Sequence, residues 1–112
     1  MNKEILNEVD KIIEYIKDTD DYKDYIYLKE KLSNNDKANN LIKEIKNLQK
    51  DIVKLELEKK DITELDNKIK SNLQELNKMP LYVEYMQKQE ILNDMYQIIK
   101  SRLDEYFYDK FN

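Results

Sequence analysis

The sequence predicts an all-α fold, an antiparallel helical bundle of about five helices with a long central helical hairpin. Three observations carry it: glycine is absent, proline occurs once, at Pro80, and apolar residues recur three and four positions apart along most of the chain. Tight hairpin turns draw on glycine and proline, so a chain almost without them has few ways to reverse β-strands. Steps of three and four instead place apolar side chains on one face of a helix. Hydrophobic residues make up 40% of the 112. They are too many and too periodic for a disordered polymer, even at a mean hydropathy of −0.93, so the chain is expected to fold. At this length one core is expected, and 1–112 reads as a single helical domain.

The first helix is expected over 3–18, where Ile5, Val9, Ile12, Ile13 and Ile16 share a face. Asp18-Thr19-Asp20-Asp21 then offers side-chain oxygens to free backbone N–H groups and sets acid beside a positive helix start, which marks a break. A second helix over 20–33 carries Tyr22, Tyr25, Leu28 and Leu32, and Ser33-Asn34-Asn35-Asp36 repeats the break. From Ala38 the spacing is strict: Ala38, Leu41, Ile45, Leu48, Ile52 and Leu55 form a heptad seam about 26 Å long. The count continues through Lys59, Ile62, Asp66, Ile69, Leu73 and Leu76, with Lys59 and Asp66 interrupting the apolar run. Either one helix spans the whole stretch, or it turns back near Lys59-Lys60-Asp61 and a box-like Asp61-x-x-Glu64 caps the next helix. A helix of that length is unusual in so small a domain, so the hairpin is favoured, with helices over 36–60 and 62–78. Its core is expected to comprise Leu41, Ile45, Leu48, Ile52, Leu55, Ile69, Leu73 and Leu76. Met79-Pro80 closes that segment, since proline disfavours helix in the residue before it and suits the first turn of the helix it opens. The fifth helix, over 80–109, carries Tyr85, Leu92, Tyr96, Ile99, Leu103 and Tyr106 on one stripe, with Gln89 the polar exception. Met86, Met95 and Ile98 widen the apolar surface sideways, which implies more than one neighbour.

Chemistry is excluded more sharply than it is suggested. The chain contains neither histidine nor cysteine, so nucleophile–histidine triads, disulfides, and zinc, haem or iron–sulfur sites built from its own residues fall away. Without glycine there is no phosphate-cradling loop of the usual kind. Asp20, Asp21 and Asp24 leave open a carboxylate site for magnesium or calcium, but no calcium-loop spacing accompanies them, and a helix start stabilised by its dipole is the plainer reading. No catalytic, cofactor-binding or metal-binding residue is assigned, no cofactor is expected, and the protein is read as a non-enzyme. The nine tyrosines fit core packing, an interface, or base stacking, and the last normally comes with clustered arginine or lysine.

Net charge is −4 with a pI near 5.0, and lysine is interleaved with acid throughout. Phosphate backbones are bound by clustered positive charge, so direct nucleic-acid binding is not expected. No run reaches the 18 apolar residues of a membrane span, and Met1-Asn2-Lys3-Glu4 leads into an amphipathic pattern unlike a signal peptide. A cytoplasmic location is the expectation.

With its segments placed, the chain resembles the YlbF/YmcA family of small helical bacterial proteins, and its YmcA branch in particular. The resemblance covers nearly the whole length. It rests on Asp18-Thr19-Asp20-Asp21-Tyr22, on Asn35-Asp36-Lys37-Ala38 followed by Ile42 through Lys50, and on Met79-Pro80-Leu81-Tyr82-Val83-Glu84-Tyr85 leading into Gln89 through Met95. It implies a self-associating helical bundle that joins YlbF-like and YaaT-like proteins in a cytoplasmic complex. Through that complex it implies support of endoribonuclease Y in mRNA processing, and so of biofilm formation, competence and sporulation. Some relatives carry a cysteine-bearing C-terminal tail that contributes to iron–sulfur binding. The present sequence reaches Phe111-Asn112 without a cysteine, so that ligation is not carried over.

Two function classes follow. In the first, the protein is a regulatory adaptor that meets a partner through Met79, Pro80, Tyr82, Tyr85, Met86 and Gln89, where apolar and aromatic residues exceed one core stripe. In the second, it is a structural homo-oligomer without regulatory partners, zipped by the Ala38–Leu55 seam.

Overall fold

The computed structural model describes the backbone of residues 2–111 and the side chains of residues 2–108. Met1 and Asn112 lie outside the described residues. Five helices follow one another, α1 (Lys3–Lys17), α2 (Asp20–Ser33), α3 (Asp36–Leu57), α4 (Thr63–Asn77) and α5 (Pro80–Phe111), with no strand among the described residues. The fold is all-α.

The starts of the first three helices are each built by a short polar side chain. Asn2 caps α1 by accepting from the Glu4 N–H at 2.7 Å. Between α1 and α2 the Thr19 hydroxyl donates to the Ile16 carbonyl at 2.7 Å and accepts from the Tyr22 N–H at 3.2 Å. It thereby ends one helix and starts the next. Asn35 caps α3 through the Ala38 N–H at 3.0 Å, while the Asn39 side-chain amide donates to the Ser33 carbonyl at 2.6 Å.

The stretch near residue 59 is a turn. Lys60 N–H donates to the Leu55 carbonyl at 2.8 Å and Lys59 N–H to the Glu56 carbonyl at 3.1 Å, with Lys59 left-handed at φ 57°. This is the paired-bond ending that helices usually build with glycine at the left-handed residue. A side chain there costs roughly 1–2 kcal/mol. Lys59→Gly is therefore expected to stabilise the hairpin by about 1 kcal/mol, raising the midpoint of thermal unfolding by several degrees. An unchanged or lower midpoint would count against this turn.

The start of α4 departs from the expected capping box. Ile62 occupies the cap position without a side-chain bond. Asp61, one residue earlier, accepts from the Thr63 hydroxyl at 2.6 Å and the Thr63 N–H at 3.0 Å. Glu64 points outward towards Lys68, 3.9 Å away. The two-bond grip of Asp61 on Thr63 satisfies the first free N–H of α4. The Thr63 hydroxyl first and its N–H second hold the Asp61 carboxyl below its ordinary value. A depressed carboxylate binds fewer protons folded than unfolded, so its contribution is complete above the ordinary aspartate pKa and is lost as pH falls through the lowered one. The Thr63 amide resonance is expected to titrate with an apparent pKa below that of a free aspartate. Titration at the free value would remove the bond.

The chain divides into two compact units, residues 28–85 and residues 1–27 with 86–112. The first is a small bundle around the α3–α4 hairpin, the closest helix pair among the described residues. Its core is Leu32, Ala38, Ile45 and Leu76, against which Leu41, Ile42, Ile69, Met79, Leu81, Tyr82 and Tyr85 pack. Leu28 and Leu48 are buried as well. Of the expected hairpin core, Leu41, Ile52, Leu55 and Ile69 are half-buried, Ile45, Leu48 and Leu76 are buried, and Leu73 lies at the rim, 36% exposed. The turn at Lys59 explains Leu73, because α4 restarts the repeat in a new phase: Leu65, Ile69, Asn72 and Leu76 now share its covered face.

In the second unit, α1 and the described α5 residues from Met86 onward contain no buried side chain. Ile5, Val9, Ile12 and Ile13 remain 42–57% exposed. On α5, Leu92, Met95 and Ile99 are half-buried, whereas Tyr96, Ile98 and Leu103 are more than half exposed.

Candidate partner-binding surface

The turn from α4 into α5 is short. Lys78 and Met79 N–H groups donate to the Glu75 and Leu76 carbonyls at 3.2 and 2.9 Å, and the Met79 carbonyl accepts from Val83 N–H at 3.1 Å. Met79 thus ends one helix and begins the next, and Pro80, lacking an N–H, occupies the first helical position where none is required. Because Met79 sits three residues after buried Leu76, its side chain and those of Tyr82 and Tyr85 one and two turns on fall against the hairpin core. Pro80 is exposed.

The six residues singled out by sequence do not lie in one unit. Met79, Pro80, Tyr82 and Tyr85 belong to residues 28–85, while Met86 and Gln89 belong to the other unit. Three of the first four are committed to the core, half-buried. Met86, 39% exposed, and Gln89, exposed, remain available on α5. The seam from Ala38 to Leu55 is turned inward, with Ala38, Ile45 and Leu48 buried within the chain itself.

Charge around the start of α2 is organised by a lysine that sequence reasoning overlooked. Lys88 Nζ lies 2.9 Å from Asp21 Oδ1 and 3.2 Å from Asp24 Oδ2, and its side chain is only 27% exposed. The two aspartates, one turn apart, hold an ammonium between them, with Asp20 beside them in the same first turn. Asp21 foremost, then Asp24, holds the Lys88 ammonium above its ordinary pKa. Its contribution is therefore present below the ordinary lysine value and lost as pH rises through the raised one. The spacing of Asp21 and Asp24 was legible, but their partner stands 67 residues from Asp21 in a sequence rich in lysine. Among the described residues no group of three or more His, Cys, Asp or Glu is placed to hold a metal ion.

The hollow on α1 lined by Asn7, Asp10, Lys11, Glu14, Tyr15 and Asp18 is shallow and open, with a rim of both charge signs, unlike the enclosed apolar sites that hold small molecules. No helix among the described residues is long and apolar enough to cross a membrane. The arrangement offers exposed apolar and aromatic surface on helices, the chemistry of protein recognition. No curated protein matches the chain. The profile of the family described as control of competence regulator ComK, YlbF/YmcA, matches residues 5–105.

Proposed function

Because the chain belongs to the YlbF/YmcA family of competence regulators, we propose that it is a non-enzymatic regulatory adaptor of the YmcA kind. In this reading it works in the cytoplasm beside YlbF-like and YaaT-like proteins. The complex supports endoribonuclease Y in mRNA processing, and through it biofilm formation, competence and sporulation. One observation carries the reading: the family match runs from Ile5 to Glu105, so it takes in residues of all five helices and both units. A chain without histidine, cysteine or glycine supports a role in binding over one in catalysis.

Of the proposed surface, Pro80, Met86 and Gln89 are exposed, and these are where a partner is reached without opening the core. Met86→Glu should abolish co-purification of the YlbF-like and YaaT-like proteins from the native cell while leaving helicity unchanged. Undiminished recovery of both would sink the surface assignment, and recovery of neither by the unaltered protein would sink the adaptor reading. The structural-oligomer reading gains less support, because the seam it relies on is filled from within the same chain.

A further inference from the structure

We propose that the solvent face of α3 is a docking strip for an acidic amphipathic helix of a partner protein. The strip goes beyond the adaptor surface described above, since it lies within residues 28–85 whereas Met86 and Gln89 belong to the other unit. Lysine and acid alternate along the chain, yet on α3 they part onto different faces. Lys43, Lys50, Lys54 and Leu57 each stand two residues after a member of the core row Leu41, Leu48, Ile52 and Leu55, a rotation of about 200° around the helix axis. With Lys46 they form a row on the side away from the hairpin core, about 21 Å long from Lys43 to Leu57. All four lysines are exposed.

The row is short of acid. The positions three and four residues to either side of Lys43, Lys46 and Lys50 hold Asn, Gln, Ile, Val and other lysines, and no carboxylate. On α1 and α4, by contrast, Lys11 meets Glu8, Lys17 meets Glu14 and Lys70 meets Asp66 at this spacing. None of the four lysines is in an ion pair among the described residues. Lys43 with Lys46, Lys46 with Lys50 and Lys50 with Lys54 are instead like-charged neighbours, an arrangement that weakens a helix and that acid from outside relieves. The apolar end of the row decides the class of partner. Val53 and Leu57 are 56% and 81% exposed, and no large apolar side chain among the described residues is more exposed than Leu57. Nucleic acids are met by lysine together with aromatic platforms or arginine, but α3 has no aromatic residue and the chain's sole arginine, Arg102, is on α5. A phosphate surface would also leave Leu57 in water. An acidic helix with an apolar edge answers both the ammonium row and the leucine.

Fluorescence anisotropy tests this with the full chain and a synthetic helical peptide that carries glutamate four residues apart along one side and leucine along its edge. Binding should be measurable at about 0.05 M salt and fall at least fivefold by about 0.3 M, as screening shortens the reach of the lysines. Lys46→Glu with Lys50→Glu should weaken it at least tenfold, and Lys46→Gln with Lys50→Gln by an intermediate factor. Neither pair should lower the midpoint of thermal unfolding, because each removes repulsion between neighbours, so lost binding is separated from lost fold. Lys3→Glu with Lys11→Glu changes the net charge equally in the other unit and should leave binding unchanged. Leu57→Ala should weaken binding severalfold without altering its salt dependence. A peptide with lysine in place of glutamate should prefer the variant with both glutamates to the unaltered chain. No binding at the lower salt, or undiminished binding by the glutamate pair or by Leu57→Ala, would overturn the proposal. Tighter binding of an RNA oligomer or of phosphatidylglycerol vesicles than of the acidic peptide would overturn it too, by making the strip a phosphate surface.

Discussion

Leu76→Ala is expected to cost about 3 kcal/mol, within the 2–5 kcal/mol that buried leucine truncations cost. Leu76 is fully buried at the end of α4, among Leu32, Ala38 and Ile45, with Met79, Tyr82 and Tyr85 packed around that cluster. The loss has two parts: the transfer of the removed carbons and the cavity they leave. The second depends on how far the neighbours can move inward. Here they are pinned from two sides, since Ala38 is fixed by the Asn35 cap at 3.0 Å and Met79 by its bond to the Leu76 carbonyl at 2.9 Å. Little collapse is therefore expected. Against the 5–15 kcal/mol total stability of ordinary domains, that is a large share for one side chain. Denaturant unfolding followed by circular dichroism should show a lower midpoint with unchanged slope. A loss under 1 kcal/mol would mean that Leu76 is not the centre of this core.

Much of this core was legible because it depends on local rules. Ala38, Ile45 and Leu48 follow from heptad spacing, and Asn35 from the preference of short polar side chains for helix starts. Pro80 marks its own helix start. The family's series of breaks was legible for the same reason: Thr19, Asn35 and Met79-Pro80 act within a few residues of themselves. What escaped depends on contacts that spacing does not encode. Lys59 adopts a left-handed conformation without the glycine that would announce it, so the register carried across it misplaced Leu73. The stripe of α1 is indistinguishable in sequence from a core stripe, because periodicity records that a face is apolar and not what covers it. The clamp of Asp21 and Asp24 on Lys88 joins residues more than sixty positions apart, and no pattern singles out one lysine among so many. Of the residues proposed to meet a partner, Met79, Tyr82 and Tyr85 drew attention because they are apolar beyond one stripe. The same property sends them into the hairpin core.

The converse substitution tests whether α3 and α4 meet as described. Ala38 is fully buried in the first turn of α3, and the adjacent Lys37 Nζ lies 3.8 Å from Glu75 Oε2 at the end of α4. Residues 37–38 and 75–76 are thus neighbours across the hairpin, with a small side chain on one helix and a large one on the other. Ala38→Leu alone should cost about 1–3 kcal/mol, since the added carbons have no space and must force α3 away or twist their own rotamers. In Ala38→Leu with Leu76→Ala the total volume is restored, the new leucine reaching into the cavity left by the old one. The double variant should therefore lose about 1–2 kcal/mol less than the two single losses together, the coupling expected of residues in contact. Independent sites would instead add to within about 0.5 kcal/mol. Additive losses would separate Ala38 from Leu76, and with them the helix pair that holds this unit together.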